Sequence, residues 1–219
     1  MSQRPTIAVI GGTGNLGLGL ARLWAHAGYP IVIGSRSKDK ACAAAQELAA
    51  VGSVAGDENC RAARAADIVV LSVPFANHDA IVCDLKPHVV GKIVVDAVVP
   101  LVPPRVSVVQ VPPAGSPSVA AQRILGPVAK VVAAFHNVGA KKLQDGERAD
   151  CDVLVFGDDP DARALVIELA TAVATRGVDG GVLANSIAAE AMTSVLIAIN
   201  RQYKVPGAGI RITGLAESS

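Results

Sequence analysis

Three glycines near the amino terminus form the first pattern in the chain that could do chemistry. Gly12, Gly14 and Gly17 make up a G-x-G-x-x-G pattern that directly follows an apolar run at residues 6–10. Between a strand and a helix, this pattern is typical of loops that bind the pyrophosphate of a dinucleotide. We assign the tight turn to Gly12, the approach to the phosphates to Gly14 and helix–strand packing to Gly17. The alternative is a glycine-rich turn that binds no ligand. The predicted cofactor-binding loop consists of Gly12, Thr13, Gly14, Asn15, Leu16 and Gly17.

The residues after the second apolar run indicate which dinucleotide binds. Ser35 and Arg36 follow directly after residues 31–34, and Lys40 comes one helical turn later. No Asp or Glu stands at the end of this run to accept hydrogen bonds from the ribose 2′-OH of NAD. A hydroxyl, a guanidinium and an ammonium group suit a 2′-phosphate instead. We therefore expect NADP(H), the alternative being a solvated basic turn.

The sequence contains no conventional catalytic constellation of acid and base residues. His136 follows an apolar run at the carboxyl edge of the expected sheet, where open α/β sheets bind ligands, and His78 makes a weaker case of the same kind. Neither Tyr29 nor Tyr203 begins the Y-x-x-x-K pattern of a proton-donating tyrosine. Reduction of a carbonyl normally needs a proton donor, whereas hydride exchange between two ring cofactors needs mainly position and exclusion of water. His136 is thus a candidate catalytic residue or a structural one.

The elements that must position these residues alternate along the chain. Short β-branched runs are continuously apolar, which is typical of strands buried on both faces of a parallel sheet. The predicted strands are residues 6–10, 31–34, 53–55, 67–72, 92–96, 130–135 and 152–156. The predicted helices are residues 15–27, 38–50, 58–65, 77–85, 118–125, 161–175 and 184–203. The pattern predicts an α/β fold with a doubly wound, Rossmann-type parallel sheet and a small C-terminal helical extension.

Two segments follow from this pattern. We place residues 1–178 in an NADP-binding Rossmann-type domain, and residues 179–219 in a C-terminal helix and tail that completes the substrate pocket. The apolar surface of the helix at residues 184–203 is wider than a surface helix needs. It indicates a homodimer, or a helix that packs across its own sheet.

Composition argues against several classes of protein. The chain has 219 residues, 20 Lys and Arg against 19 Asp and Glu, so a nucleic-acid partner held by phosphate contacts is not expected. Polar residues interrupt the apolar segment at 184–199, and the amino terminus lacks the apolar region of a secretory signal. We therefore expect neither a membrane span nor a signal peptide. The four cysteines form no C-x-x-C pair, which argues against a metal site and suits a cytoplasmic protein.

These residues together resemble the NADPH-dependent F420 reductases, also called F420H2:NADP+ oxidoreductases. The matching segments cover nearly the whole chain and consist of residues 10–17, 34–36 with Lys40, 100–103, 132–137, 157–159, 185–186 and 207–210. The resemblance implies that Thr13, Ser35, Arg36 and Lys40 meet the 2′-phosphate. It further implies that the backbone around Pro74, Val102 and Val138 borders the nicotinamide, and that the tail near Ala208 borders the deazaflavin.

The function that the resemblance implies is hydride transfer between NADP(H) and coenzyme F420, an 8-hydroxy-5-deazaflavin. We expect direct transfer, with His136 orienting a ring or a carbonyl rather than serving as an obligatory acid. One alternative is an NADPH-dependent flavin reductase, or a flavin-mediated ferric reductase, with FMN as acceptor. Another, of a different class, is a sensor that binds NADPH without oxidising it.

Overall fold

The structure, a computed structural model, describes residues 4–215 and confirms the α/β class. Eight strands form a sheet in the order β3-β2-β1-β4-β5-β6-β7-β8. The strands are β1 Ile7–Ile10, β2 Ile31–Ser35, β3 Val54–Glu58, β4 Ile68–Leu71, β5 Ile93–Asp96, β6 Lys130–Ala133, β7 Ala149–Gly157 and β8 Ala174–Asp179. The helices are α1 Asn15–His26, α2 Lys38–Glu47, α3 Asn59–Ala65, α4 His78–Leu85, α5 Pro117–Leu125, α6 Ala140–Gln144, α7 Pro160–Thr171 and α8 Ser186–Tyr203.

The first six strands are parallel, and their register aligns their carboxyl ends. Ile10 pairs with Gly34 on one side and with Leu71 on the other, and the line continues through Asp96 and Ala133. The strand order reverses between β1 and β4, which is the switch point where such sheets bind ligands. The loops after these strands therefore emerge side by side at one edge.

The strands beyond β6 differ from the prediction. Strand β7 runs antiparallel to β6, with Ala133 opposite Phe156, so its first half extends past the carboxyl end of β6. The helix predicted to reach residue 175 ends at Thr171, and the missed strand β8 follows and pairs in parallel with β7. Sequence analysis missed β8 because Thr175, Arg176 and Gly177 interrupt its apolar run.

Two apolar layers hold the helices on the sheet. The layer on one side is centred on Trp24, which is fully buried, donates from its indole Nε1 to the carbonyl oxygen of Leu169 at 3.0 Å, and meets the ring of Phe135 edge-on at 5.5 Å. A buried aromatic side chain of this size stabilises the folded state by several kcal/mol. This packing joins α1 to α7 and fixes the helix that begins at the glycine loop.

Helix α8 follows the last strand and lies outside the alternation of strands and helices along the chain. The segment Leu183–Tyr203 has a mean hydropathy of 1.3 and is the one described helix long and apolar enough to cross a membrane by length and composition alone. Its inner face nevertheless carries three buried polar residues, Ser186, Glu190 and Ser194. Glu190 attaches the helix to α5, since its Oε1 accepts hydrogen bonds from the hydroxyls of Ser116 at 2.7 Å and Ser118 at 2.8 Å.

Candidate functional site

The glycine loop turns tightly between β1 and α1. The left-handed conformation falls on Gly11, with φ at +77°, and not on Gly12 as the sequence pattern suggested. Gly12 is required for another reason, because a Cβ there would lie 2.7 Å from the carbonyl oxygen of Val9. A Cβ on Gly17 would lie 2.4 Å from the Ser72 hydroxyl, so this glycine lets α1 approach β4. A Cβ on Gly14 would meet only the loop's own Gly11 carbonyl, at 3.3 Å, which leaves its outer side open to a ligand.

The remaining loop residues surround the start of α1. Thr13 and Asn15 are exposed, Leu16 is half-buried, and Gly14 caps the helix without a side-chain hydrogen bond. The first N–H groups of α1 are therefore free to bind an anion. The Asn15 side chain accepts a hydrogen bond from Gln144 of α6 at 3.0 Å, and this contact ties the loop to a helix that sequence analysis did not predict.

Positively charged side chains follow the end of β2, close to the start of α2. Ser35 is buried at the strand end, whereas Arg36 and Lys40 are exposed. Ser37 caps α2, with its hydroxyl accepting from the Lys40 N–H at 3.4 Å. Within residues 4–215 neither Arg36 nor Lys40 forms an ion pair, while the neighbouring Lys38 lies 3.9 Å from an Asp57 carboxylate oxygen. Unpaired cations at a helix amino terminus form a site for a phosphate dianion.

A buried ion pair joins the loops that follow β4 and β5. Nε2 of His78 lies 2.8 Å from Oδ2 of Asp96, and its Nδ1 lies 2.7 Å from the Asp79 carboxylate. Asp96 also accepts from the N–H of Val98 at 3.0 Å. Burial opposes a charge on His78, but the hydrogen bonds and charges of both carboxylates raise its pKa to about 9. A charged imidazolium thus fixes the two loops, one containing Pro74 and the other leading to Val102.

Pro74 and Val102 both lie in loops at the carboxyl edge of the sheet. Pro74 is exposed two residues into the loop after Ser72, and Val102 is 43% exposed. The Val102 carbonyl accepts from the side chain of Gln110 at 3.1 Å, which folds the long loop back on itself. Both residues follow strands whose carboxyl ends are aligned with the glycine loop.

Backbone strain marks the end of β6. Phe135 is fully buried and has a φ of +68°, a conformation that costs a residue of this kind on the order of 1–3 kcal/mol and that clusters at functional sites. Strand β6 accordingly ends at Ala133, before the predicted residue 135. The strained turn directs His136 inward and leads to Val138, which is 9% exposed.

His136 is buried between the end of β6 and α8. Its carbonyl accepts from the Thr193 hydroxyl at 2.7 Å, but within the described residues neither ring nitrogen has a hydrogen-bond partner. Burial lowers the pKa of His136, and the charges of Glu190 and Asp96 only partly oppose this effect. A neutral imidazole in this position can orient a ligand group, but it is poorly suited to give up a proton at neutral pH.

The C-terminal tail, residues 205–215, returns to this edge of the sheet. The backbone of Gly207 lies beside Gly139, just after Val138, and a Cβ on Gly139 would be 3.6 Å from it. Ala208 donates its N–H to the Asn200 side chain at 2.6 Å. A narrow cavity lies between the tail, the start of β7, α6 and the loop after β6. It is lined by Asn137, Gly139, Lys142, Ala149, Asp150, Cys151, Gly207, Ala208 and Gly209.

The structure therefore brings the predicted residues to one edge of the sheet, with His136 enclosed behind it. Sequence analysis missed helix α6, the contacts of Glu190 and the attachment of the tail. A signal for α6 existed in Leu143, the single buried residue of a five-residue helix, but one apolar residue carries no periodicity.

Comparisons with known proteins show similarity to F420-dependent NADP reductases. A family described as "NADP oxidoreductase coenzyme F420-dependent" matches residues 6–100. The chain is 40% identical to the F420-dependent NADP reductase of Methanocaldococcus jannaschii, over 95% of this chain and 98% of that protein. It is 37% identical to the F420-dependent NADP reductase of Methanothermobacter marburgensis, over 96% of this chain and 99% of that protein.

A solved structure shares the fold. A proposed F420-dependent NADP reductase from Arthrobacter sp. FB24 superimposes with a TM-score of 0.79 and 26% sequence identity. The match covers 97% of this chain and 100% of that one. The similarity therefore includes α8 and the tail as well as the sheet.

Proposed function

The chain belongs to the family of F420-dependent NADP reductases, and from that membership we propose that it transfers a hydride between NADP(H) and coenzyme F420. The observation that carries this proposal is 40% identity to such an enzyme across 95% of this chain and 98% of the relative. The aligned strand ends support it, since they bring a glycine loop, exposed basic residues after β2 and the loops after β4 and β5 to one edge of the sheet.

The residues around the glycine loop and the end of β2 suit the binding of NADP(H). The open side of Gly14 and the free N–H groups of α1 suit a pyrophosphate, with Thr13, Asn15 and Leu16 completing the loop. We assign the 2′-phosphate to Ser35, Arg36, Lys40 and the start of α2, with Thr13 reaching it from the loop.

In the proposed reaction the chain's own residues hold the two rings in place and exclude water from the space between them. The two bound rings supply the redox chemistry themselves. Pro74, Val102 and Val138 border one ring in the proposed site, and Ala208 borders the other. Hydride transfer needs the donor and acceptor carbons within about 3–3.5 Å, and exclusion of water by the bordering loops and the tail would favour that approach. His136 is proposed to orient a ring or a carbonyl, as its lowered pKa suits a neutral imidazole.

A homodimer is the proposed assembly. Met192 and Val195 on the outer face of α8 are 36% and 40% exposed, and the loop after β5 exposes Val108 and Val111 by 43% and 58%. A 3.0 Å hydrogen bond between Arg201 and Ser107 joins the helix to this loop. In the proposed dimer a second copy of the chain buries these exposed apolar residues. The four free cysteines support a reducing cytoplasm as its location.

The test of the activity is a mixture of protein, NADPH and F420 followed by the visible absorbance of the deazaflavin. We expect the absorbance to fall as F420 is reduced, while a parallel reaction with FMN stays near the rate without enzyme. Rapid FMN reduction with unchanged F420 would refute the proposal and favour a flavin reductase. Tight NADPH binding without oxidation by either acceptor would favour a sensor.

A further inference from the structure

The C-terminal tail is attached to the sheet by one buried acid–base pair. Asp152 on β7 is 1% exposed, and its register partner on β8 is Arg176. Nε and Nη2 of Arg176 donate to the two Asp152 carboxylate oxygens at 2.9 and 3.0 Å, in the bidentate geometry of a strong pair. The pair lies at the starts of both strands, in the part of β7 that extends past the end of β6.

Both members of the pair also bind the tail. The N–H of Ile212 donates to Oδ2 of Asp152 at 2.7 Å, and the carbonyl of Ile212 accepts from Nη2 of Arg176 at 2.8 Å. The N–H of Asp152 donates to the Ile210 carbonyl at 2.8 Å. We call Asp152, Arg176 and Ile212 the tail clasp.

The clasp determines the position of the residues just before it. The tail is anchored to Asn200 of α8 through the N–H of Ala208. It is anchored to the clasp a few residues later, at Ile210 and Ile212. Between these anchors Gly209 fits closely on β7, since a Cβ there would lie 2.5 Å from that of Cys151. Beyond Ile210, an exposed ion pair between Arg211 and Asp150 also joins the tail to β7, and residues 211–215 border a cavity of about 440 Å³ next to the clasp.

We propose that Asp152 and Arg176 are positioning residues for F420, because they hold the stretch from Gly207 to Gly209 as one wall of the cleft that receives the deazaflavin. This inference rests on the proposed function, which places F420 beside Ala208. It assigns a role in binding the second substrate to two residues that lie outside the cleft and outside the glycine loop. The glycine loop and the basic residues proposed for the 2′-phosphate follow β1 and β2, on the other side of the switch point from the clasp.

A second pair on the same strand serves as a matched control. Arg163 donates from Nε to Asp179 at 2.9 Å and from Nη1 to the Gly157 carbonyl at 2.6 Å, and its side chain is 16% exposed against 13% for Arg176. Its arginine is as buried as Arg176, although Asp179 is 49% exposed and is bound through one nitrogen only, and the pair sits at the opposite end of β8 without contacting the tail. Arg163→Gln therefore reports what the loss of a comparable pair does to the domain in general.

The experiment compares Arg176→Gln, Ile212→Pro and Arg163→Gln with the unaltered protein. Ile212→Pro removes the N–H donor from an exposed tail and leaves the buried pair intact, so its folding is not at risk. We expect the KM for F420 to rise about 10- to 100-fold in Arg176→Gln, the scale of lost hydrogen bonds to a charged group, and to rise in Ile212→Pro as well. The Kd for NADPH and the kcat at saturating F420 should change less than about twofold.

Hydrogen exchange separates this proposal from the proposed function. The amide of Asp152 should exchange faster in Arg176→Gln and Ile212→Pro, and at the original rate in Arg163→Gln. Faster exchange with an unchanged KM for F420 would show that the tail is clasped but does not shape the F420 site, which overturns the inference while the activity stands. Unchanged exchange, or an equal rise in KM in Arg163→Gln, would also overturn it. If the unaltered protein does not reduce F420 at all, the proposed function itself fails, and the positioning role fails with it.

Discussion

The pair of His78 and Asp96 makes the stability of the protein depend on pH in a defined range. The pKa of His78 is about 9 in the folded protein, against 6.5 for an unperturbed histidine. A group whose pKa is raised by folding stabilises the folded state fully below its unfolded pKa, and this contribution is lost as the pH rises through the folded value. The free energy of unfolding should therefore decrease between about pH 6.5 and pH 9 because of this residue.

The size of the decrease follows from the difference between the two pKa values. Each pKa unit corresponds to about 1.4 kcal/mol, so the shift to about 9 amounts to about 3 kcal/mol. Solvent screens the Asp96 contribution little, since His78 is 1% and Asp96 0% exposed. The Asp79 side chain is 69% exposed and its contribution is screened, so about 3 kcal/mol is an upper value.

Urea denaturation at pH 6 and pH 9.5 measures the effect. The unaltered protein should lose up to about 3 kcal/mol more than His78→Gln between these two values. His26→Gln, a change at an exposed histidine, serves as the control and should behave like the unaltered protein. Equal pH dependence in the unaltered protein and His78→Gln would refute the reasoning, because it would mean that His78 does not carry a charge in the folded state.

Four further outcomes test the site and the assembly. Arg36→Ala should weaken NADPH binding by about 1–3 kcal/mol in titration calorimetry and leave NADH nearly unchanged; an equal loss for both would contradict the 2′-phosphate assignment. His136→Ala should slow a stopped-flow single turnover about 10-fold, whereas loss of a general acid would cost about 10²–10⁴-fold. In the same reaction, deuterium from C4 of NADPH should appear on reduced F420, and its loss to water would exclude direct transfer. Light scattering at micromolar concentration should give the mass of a dimer, and a monomer mass would rule out the interface on α8.

The parts of the fold that the sequence determined are those with a local physical signature. All seven predicted strands exist, and each of their ends lies within three residues of the prediction. Continuous β-branched runs between glycines and helical stretches favour strands over other structures. The glycine loop and the basic residues after β2 were predictable for the same reason, since each depends on a short segment. Even there the left-handed turn fell on Gly11 rather than Gly12, because a pattern fixes the presence of a tight turn and not the residue that adopts it.

The tertiary structure alone decided the features that depend on distant segments. Strand β8 exists because β7 offers it an edge, and its register is what sets Arg176 opposite Asp152. The antiparallel direction of β7 carries that pair past the end of β6 to meet Ile212, sixty residues further along the chain. His136 likewise ends in a buried position because the strained turn at Phe135 and the packing of α8 enclose it. No local sequence pattern predicts these contacts, because each depends on the way separate elements pack together.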